Sequence, residues 1–170
     1  MKYTIFLLAA FLFISCDFKV STKDNKSTEK KADPLSKIRN GILIEQKGLL
    51  VSQAFLVYED GSLVPETNLV ELKKELTVHL VIDTGFSVTE GHVRLGASEK
   101  VETNEGDQVL NEEDLFSGKD KVSATDAKLI TLKVRIDQVA KLFDYYKVSF
   151  RVWDKNNQHE VRGSYKFNIQ

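Results

Sequence analysis

The second half of the chain alternates apolar and polar residues, which is the pattern of half-buried β-strands. The alternation is clearest in four runs, at 76–82, 130–136, 146–152 and 165–169. Further strands are expected at 50–58 and 91–97, with weaker ones near 100–103 and 108–110. Seven or eight short strands separated by turn residues predict an all-β fold, an antiparallel β-sandwich.

The end of the chain resembles strands E, F and G of an immunoglobulin-like (Ig-like) domain. The order is strand, corner, strand, polar loop and strand, at 130–136, 139–144, 146–153, 154–158 and 161–169. Tyr146 lies where a tyrosine corner would place its ring, and Val148 stands where such domains have a cysteine. The resemblance implies an Ig-like sandwich and no particular function, because this fold carries many functions.

The N-terminus has a different pattern, a single uninterrupted apolar run. Lys2 precedes ten apolar residues at 5–14, and Ser15 and Cys16 follow them. A basic start, a short apolar segment and a small residue at the processing site are the parts of a secretory signal peptide. Ten helical residues span about 15 Å, half of the ~30 Å hydrocarbon core of a bilayer. We therefore expect residues 1–15 to be cleaved rather than to span a membrane.

The sequence Phe13-Ile14-Ser15-Cys16 resembles the lipobox of bacterial lipoproteins, in which an apolar residue, a tolerant position and a small residue precede a cysteine. The resemblance implies that the lipoprotein processing and sorting machinery attaches diacylglycerol to Cys16, cleaves before it and adds an N-acyl chain. Phe13 replaces the usual leucine, which fits the looser lipoboxes of some bacterial groups. Several acyl chains anchor a protein firmly, because each buried CH₂ contributes about 0.8 kcal/mol. The alternative is a plain signal peptide whose cysteine carries no lipid.

Composition divides the rest of the chain into a linker and a domain. Residues 16–39 are mostly polar, and we expect a lipidated N-terminus followed by a flexible linker. Residues 40–170 form the predicted sandwich domain, with 16 Lys and Arg against 21 Asp and Glu, a net charge of −5. This acidic balance argues against nucleic acid as a partner. Cys16 is the only cysteine, so the domain is expected to fold without disulfides.

One motif resembles part of a catalytic site. Asp83-Thr84-Gly85 is similar to the Asp-Thr-Gly loop of aspartic proteases, which would need a homodimer to bring two aspartates together. The apolar pair and glycine that brace this loop in the family are not recognisable downstream. Aspartate and glycine at the end of a strand are also ordinary turn residues, which is the interpretation we favour. We predict no catalytic residues.

Metal sites are also not predicted. Asp154, Asn156, Gln158 and Glu160 alternate like calcium ligands, but the EF-hand glycine position holds His159 and the glutamate position holds Tyr165. A plain hairpin turn between two strands is the interpretation we favour. The three histidines lie on different predicted elements without the spacing of zinc ligands. The acidic segment 99–126 is interpreted as a solvated connection between sheets; the alternative is a lobe that binds a cation or a partner.

Two aromatic residues are the candidate binding surface. Tyr145 and Trp153 have the opposite parity to the apolar positions of their strand, so both are expected to face outward. Aromatic faces stack on sugars and anchor protein partners. The structural alternative is that Trp153 folds over the edge of the core and Tyr145 covers the corner.

These observations predict a membrane-anchored bacterial lipoprotein without enzymatic activity, a binding or structural module of the cell envelope. Its partners would be the membrane, through the lipid, and an envelope protein or a glycan; no cofactor is expected beyond the acyl chains on Cys16. The alternatives are a carbohydrate-binding lipoprotein of a nutrient-uptake system and an aspartic-type hydrolase. The outer membrane is the favoured location, and its periplasmic and surface faces both stay open.

Replacing Cys16 with serine tests the anchor. In a bacterial host fed a palmitate analogue, we expect the native chain to be labelled and to sediment with membranes. Cys16→Ser should lose the label and move to the soluble fraction, because it lacks the thiol that takes the diacylglycerol. Ser21→Ala, which leaves positions 13–16 intact, is the control. A labelled Cys16→Ser chain would show that the lipid is elsewhere.

Overall fold

The structure is a computed structural model and describes residues 37–138 and 141–170. The signal peptide, Cys16 and the linker up to residue 36 lie outside the described residues. The ten strands are β1 (Leu43–Lys47), β2 (Leu50–Tyr58), β3 (Leu69–Val70), β4 (Glu75–Thr84), β5 (His92–Thr103), β6 (Gln108–Glu112), β7 (Lys121–Ser123), β8 (Leu129–Arg135), β9 (Tyr146–Asp154) and β10 (Glu160–Ile169). A 3₁₀-helix, Asp126–Lys128, precedes β8. Within this part of the chain, no helix is long and apolar enough to cross a membrane.

The strands form two sheets that pack face to face. The smaller sheet has the order β2-β4-β8, and the larger has the order β1-β10-β9-β5-β6, with β3 beside β10 and β7 beside β5. The pairs are antiparallel except for the short pair of β10 with β3. The predicted all-β, Ig-like antiparallel sandwich is confirmed. Ten strands are present where seven or eight were expected, because β1, β3 and β7 are short and carry no apolar alternation.

The core lies between the sheets and follows the alternation in the sequence. Every second residue of β5, β8 and β9 is buried, and so are most alternate residues of β4 and β10; the exceptions are Thr84, Gly163 and Ile169. At one end of the core, the ring of Tyr146 stacks on that of Phe167 with 5.4 Å between centroids, and Phe143 meets Tyr146 edge-on. Full burial of a large apolar side chain contributes about 1.5–3 kcal/mol, and this interface holds the sandwich together.

Two buried asparagines join the sheets at the same end. The Nδ2 of Asn40 donates to the carbonyl of Val64 and to the side chain of Asn68, and its Oδ1 accepts from the Leu56 amide. The Nδ2 of Asn68 donates to the carbonyls of Asn40 and Lys166, at 2.8 Å each. Both residues have positive φ, which asparagine tolerates better than most residues. The pair therefore connects β2 with β10.

The acidic segment 99–126 contains strands rather than a loose connection. The expected strands at 91–97 and 100–103 are one strand, β5, and β6 and β7 lie along its edge. Glu99 falls on the inward side of β5, where it is 2% exposed and its Oε1 has no hydrogen-bond partner. Burial raises the pKa of Glu99 from 4.5 to about 8. Glu99 therefore enters the core as a neutral acid.

We expect Glu99 to make the fold less stable as the pH rises. Between its unfolded pKa of 4.5 and its folded pKa of about 8, the folded chain binds more protons than the unfolded chain. The contribution of Glu99 is therefore full below pH 4.5 and falls by about 1.4 kcal/mol per unit up to pH 8. Glu99→Gln should remove this slope, measured by urea unfolding at pH 5 to 8 with Trp153 fluorescence. A slope that persists in Glu99→Gln, or that is also removed by the exposed Glu113→Gln, would contradict this assignment.

Candidate functional site

The outward side of the larger sheet carries a continuous set of polar side chains. Its three central strands lie in the order β10-β9-β5, and their inward residues are committed to the core. We give the name charged face to the outward side chains of the stretch over which all three strands pair: Ser98, Lys100, Glu102, Lys147, Ser149, Arg151, Trp153, Glu160, Arg162, Ser164 and Lys166. Neighbouring strands fix the spacing between these side chains, so the charged face is a rigid surface.

The charged face is cationic on an acidic domain. It has five lysines and arginines and two glutamates, a net charge of +3, whereas residues 40–170 together have a net charge of −5. Lys100 pairs with Glu102 at 2.7 Å. Lys147 makes no ion pair with any residue that the structure describes. A cationic surface of this kind attracts anions and raises their local concentration.

Two arginines share one glutamate at the centre of the charged face. The Oε2 of Glu160 accepts from Nε and Nη2 of Arg151, both at 2.6 Å, and its Oε1 accepts from Nε of Arg162 at 3.0 Å. Partial burial favours the neutral acid, but the hydrogen bonds from both arginines outweigh it and lower the pKa of Glu160. Glu160 is therefore a carboxylate in this cluster at neutral pH.

Trp153 lies on the charged face and holds Arg151 in place. Its indole packs against the backbone of Gly96 on β5, where a Cβ would collide with the ring. The guanidinium carbon of Arg151 lies 4.6 Å from the indole centroid, within the range of a cation–π contact. Both contacts restrict the position of the indole.

Tyr145 lies at the other end of the same face. It precedes β9, and Nζ of Lys166 lies 3.8 Å from the centroid of its ring. Tyr145 lines a cleft of about 530 Å³ together with Lys147, Lys166 and the exposed Leu43. Trp153 lies eight residues after Tyr145, which is about 26 Å in a strand. The two predicted residues therefore mark opposite ends of the charged face and do not form one pocket.

A depression lies on the charged face between Tyr145 and Trp153. It has a volume of about 430 Å³, and its lining includes Ser98, Lys100, Ser149, Arg151 and Arg162. On its β6 side it is closed by Asn111, Glu112 and Glu113. Sequence reasoning did not find this group. The parity of Trp153 marks Ser149 and Arg151 as outward, but the residues beside them on β5 and β10 follow only from the strand register.

The Asp-Thr-Gly loop packs at the other end of the sandwich. Asp83 is exposed at the end of β4, and its Oδ1 accepts from the Ser52 hydroxyl at 2.6 Å. Gly85 has φ of 116° and lies so close to the backbone of Gly48 that a Cβ would collide with it. The carbonyl of Gly85 lies 2.6 Å from Nδ1 of His159. Gly85 thus packs the loop after β4 against the β1–β2 turn and the hairpin between β9 and β10.

Two residues of the calcium-like pattern, Asp154 and Asn156, serve the same junction, whereas Glu160 belongs to the arginine cluster of the charged face. Asp154 is fully buried, and its carboxylate accepts from the amides of Ser87 and Asn156 and from Nδ2 of Asn157, at 2.6–2.8 Å. Asp154 thus ties the loop after β4 to the hairpin between β9 and β10. In the ranges 37–138 and 141–170, no group of three His, Cys, Asp or Glu side chains is arranged to hold a metal ion.

Comparisons with known proteins identify no family. No protein-family model matches the chain, and no curated protein matches it. Among solved structures, the chain is similar to the crystal structure of the C-terminal domain of Wzt, with 12% identity and a TM-score of 0.49. The match covers 78% of this chain and 80% of that chain. A likeness at this level bears on neither ligand nor function.

Proposed function

We propose that this chain is a lipid-anchored, non-catalytic binding module of the bacterial cell envelope, and that its charged face binds an anionic envelope polymer. The observation that carries the proposal is the concentration of five cations on three adjacent strands of a domain whose net charge is −5. Charge segregation of this kind favours an anionic partner and speeds its encounter with the surface.

The chemistry of the charged face favours a glycan over a protein as that polymer. Protein interfaces are usually centred on buried apolar and aromatic anchors. The centre of the charged face instead presents polar groups around the depression: hydroxyls and cations from Ser98, Ser149, Lys100, Arg151 and Arg162, with Glu112 and Glu113 on the β6 side. Serine hydroxyls both donate and accept, which suits the hydroxyl groups of a sugar chain. Carboxylates or phosphates on the sugar chain would pair with the lysines and arginines of the charged face.

The lipid on Cys16 and the linker at 16–39 belong to this proposal. A tether to the membrane holds the domain close to envelope polymers and raises their effective concentration. Contacts that are individually weak are then sufficient for function. The proposed partners are thus the membrane, through the acyl chains, and the polymer, through the charged face. Carbohydrate binding for a nutrient-uptake system is the second candidate, and the hydroxyls that line the depression favour it.

Charge reversal on the face tests the proposal. Lys147→Glu with Lys166→Glu should weaken binding to immobilised polygalacturonate by about tenfold or more, because attraction becomes repulsion. Lys119→Glu with Lys128→Glu makes the same change in net charge on exposed residues elsewhere and should change binding less than twofold. Binding of the native chain should weaken between 50 and 300 mM salt and should be absent for neutral dextran.

Two results would contradict the proposed function. One is equal weakening by the two charge-reversed pairs, which would mean that net charge alone governs binding. The other is a native chain that binds neither polygalacturonate nor inorganic polyphosphate at 50 mM salt.

A further inference from the structure

We propose that Arg151 and Arg162 form a site for one anionic group of the ligand, a carboxylate or a phosphate, and that Glu160 is an internal competitor for this site. The proposal rests on the proposed function, because it assigns the anion contact within the charged face. It adds a prediction that a general cationic surface does not make. Removing the charge of Glu160 should raise the affinity for an anion more than removing the charge of an acid elsewhere on the domain.

The structure already shows how the two arginines hold a carboxylate. Three donors from the two guanidiniums converge on Glu160, two from Arg151 and one from Arg162. Charge-assisted hydrogen bonds of this type are stronger than neutral ones, and the planar guanidinium matches a carboxylate or a phosphate in shape. The Glu160 side chain is only 15% exposed, whereas those of Arg151 and Arg162 are 42% and 58% exposed. The arginines are therefore accessible to a ligand although Glu160 is bound to them.

The depression opens on the side of the arginines away from Glu160. In the strand register, Glu160 lies beside Trp153, whereas Arg151 lies beside Ser98 and Arg162. The lining of the depression continues from this row to Ser149 and Lys100, and Glu112 and Glu113 line it on the β6 side, away from the arginines. Each guanidinium has five N–H groups, so donors remain free after Glu160 is bound. An anion in the depression reaches these donors and the serine hydroxyls.

Glu160 weakens this site because it supplies a negative charge beside it. With Glu160 ionised, the three-residue cluster has a net charge of +1, and without it the charge is +2. The low pKa of Glu160 follows from the same contacts. A single small anion gains little from a half-neutralised pair of arginines. A polymer that also reaches Lys100 or Lys147 gains more, so Glu160 makes the face selective for ligands with several anionic groups.

Calorimetric titration of the full chain, purified in a neutral detergent, tests the proposal. The probes are an oligogalacturonate, which carries carboxylates, and inorganic tripolyphosphate, which carries phosphates. The probe that binds with the higher affinity identifies the anionic group. Glu160→Gln keeps the size and a hydrogen-bond acceptor but removes the charge, and should tighten binding by about three- to tenfold. Arg151→Gln and Arg162→Gln should each weaken it by about tenfold. Asp137→Asn removes an acid from an exposed ion pair with Arg135 and should change binding less than twofold.

Trp153 provides a second measurement. It is the only tryptophan, and the guanidinium of Arg151 lies against its indole. An anion that binds Arg151 should therefore change the emission of Trp153 with the same midpoint as the calorimetric titration. Arg162→Gln, which keeps Arg151 against the indole, should show the change with a midpoint about tenfold higher, as in the calorimetric titration. Arg151→Gln, which lacks that guanidinium, should show little change in emission. A melting temperature close to the native value will show that a variant is folded. If Arg162→Gln is not folded, Arg162→Lys takes its place in the titrations, because it keeps the charge but lacks the planar guanidinium.

The results separate this inference from the proposed function. If the native chain binds a probe and charge reversal of Lys147 and Lys166 weakens it, the proposed function stands. If Glu160→Gln then weakens binding or leaves it unchanged, Glu160 is not a competitor and the inference is overturned. If Asp137→Asn tightens binding as much as Glu160→Gln, the effect is one of net charge and the inference is also overturned. If the native chain binds neither probe, the inference and the proposed function are both overturned.

Discussion

The apolar interface between the two sheets is the contact on which the rest of the structure depends. The part of the chain that the structure describes has no cysteine, so burial must hold the sheets together. The strands β2, β4 and β8 pack against β5, β9 and β10, while the residues of β1 and β6 at the margins of the larger sheet are nearly all exposed. Polar junctions close both ends of the interface, one around Asn40 and Asn68 and one around Asp154. Burial supplies most of the stabilisation, and these junctions fix how the sheets are placed on each other.

The same interface determines the charged face. Because alternate residues of β5, β9 and β10 are committed to the core, the residues between them must point outward at fixed spacings. The Glu160 cluster, the depression and the contact of Trp153 with Gly96 all follow from that spacing. Glu99 is the exception, since an acid whose Oε1 has no hydrogen-bond partner occupies a core position, where burial raises its pKa. The inward and outward sides of one strand thus carry different chemistry.

Residue alternation was sufficient to predict the long strands and their inward faces, and to predict that Tyr145 and Trp153 face outward. It divided β5 into two pieces because Glu99 interrupts the apolar side of that strand. It missed β1, β3 and β7, whose short, mostly exposed sequences have no apolar period to detect. The grouping of Arg151 with Arg162 and Ser98 was out of reach for a different reason. It depends on the register of β9 with two neighbours, and register is a property of strand pairing rather than of any one strand.

The central claim is that the charged face of the larger sheet is the binding surface. The most direct measurement is a titration of the ¹⁵N-labelled chain with oligogalacturonate, followed by the chemical shifts of its backbone amides. The account predicts that the largest shifts lie on β5, β9 and β10 around Ser98, Ser149, Arg151 and Arg162. Shifts centred on the outward side of the smaller sheet, around Phe55 and His79, would contradict it. So would shifts confined to the loops at the two ends of the sandwich.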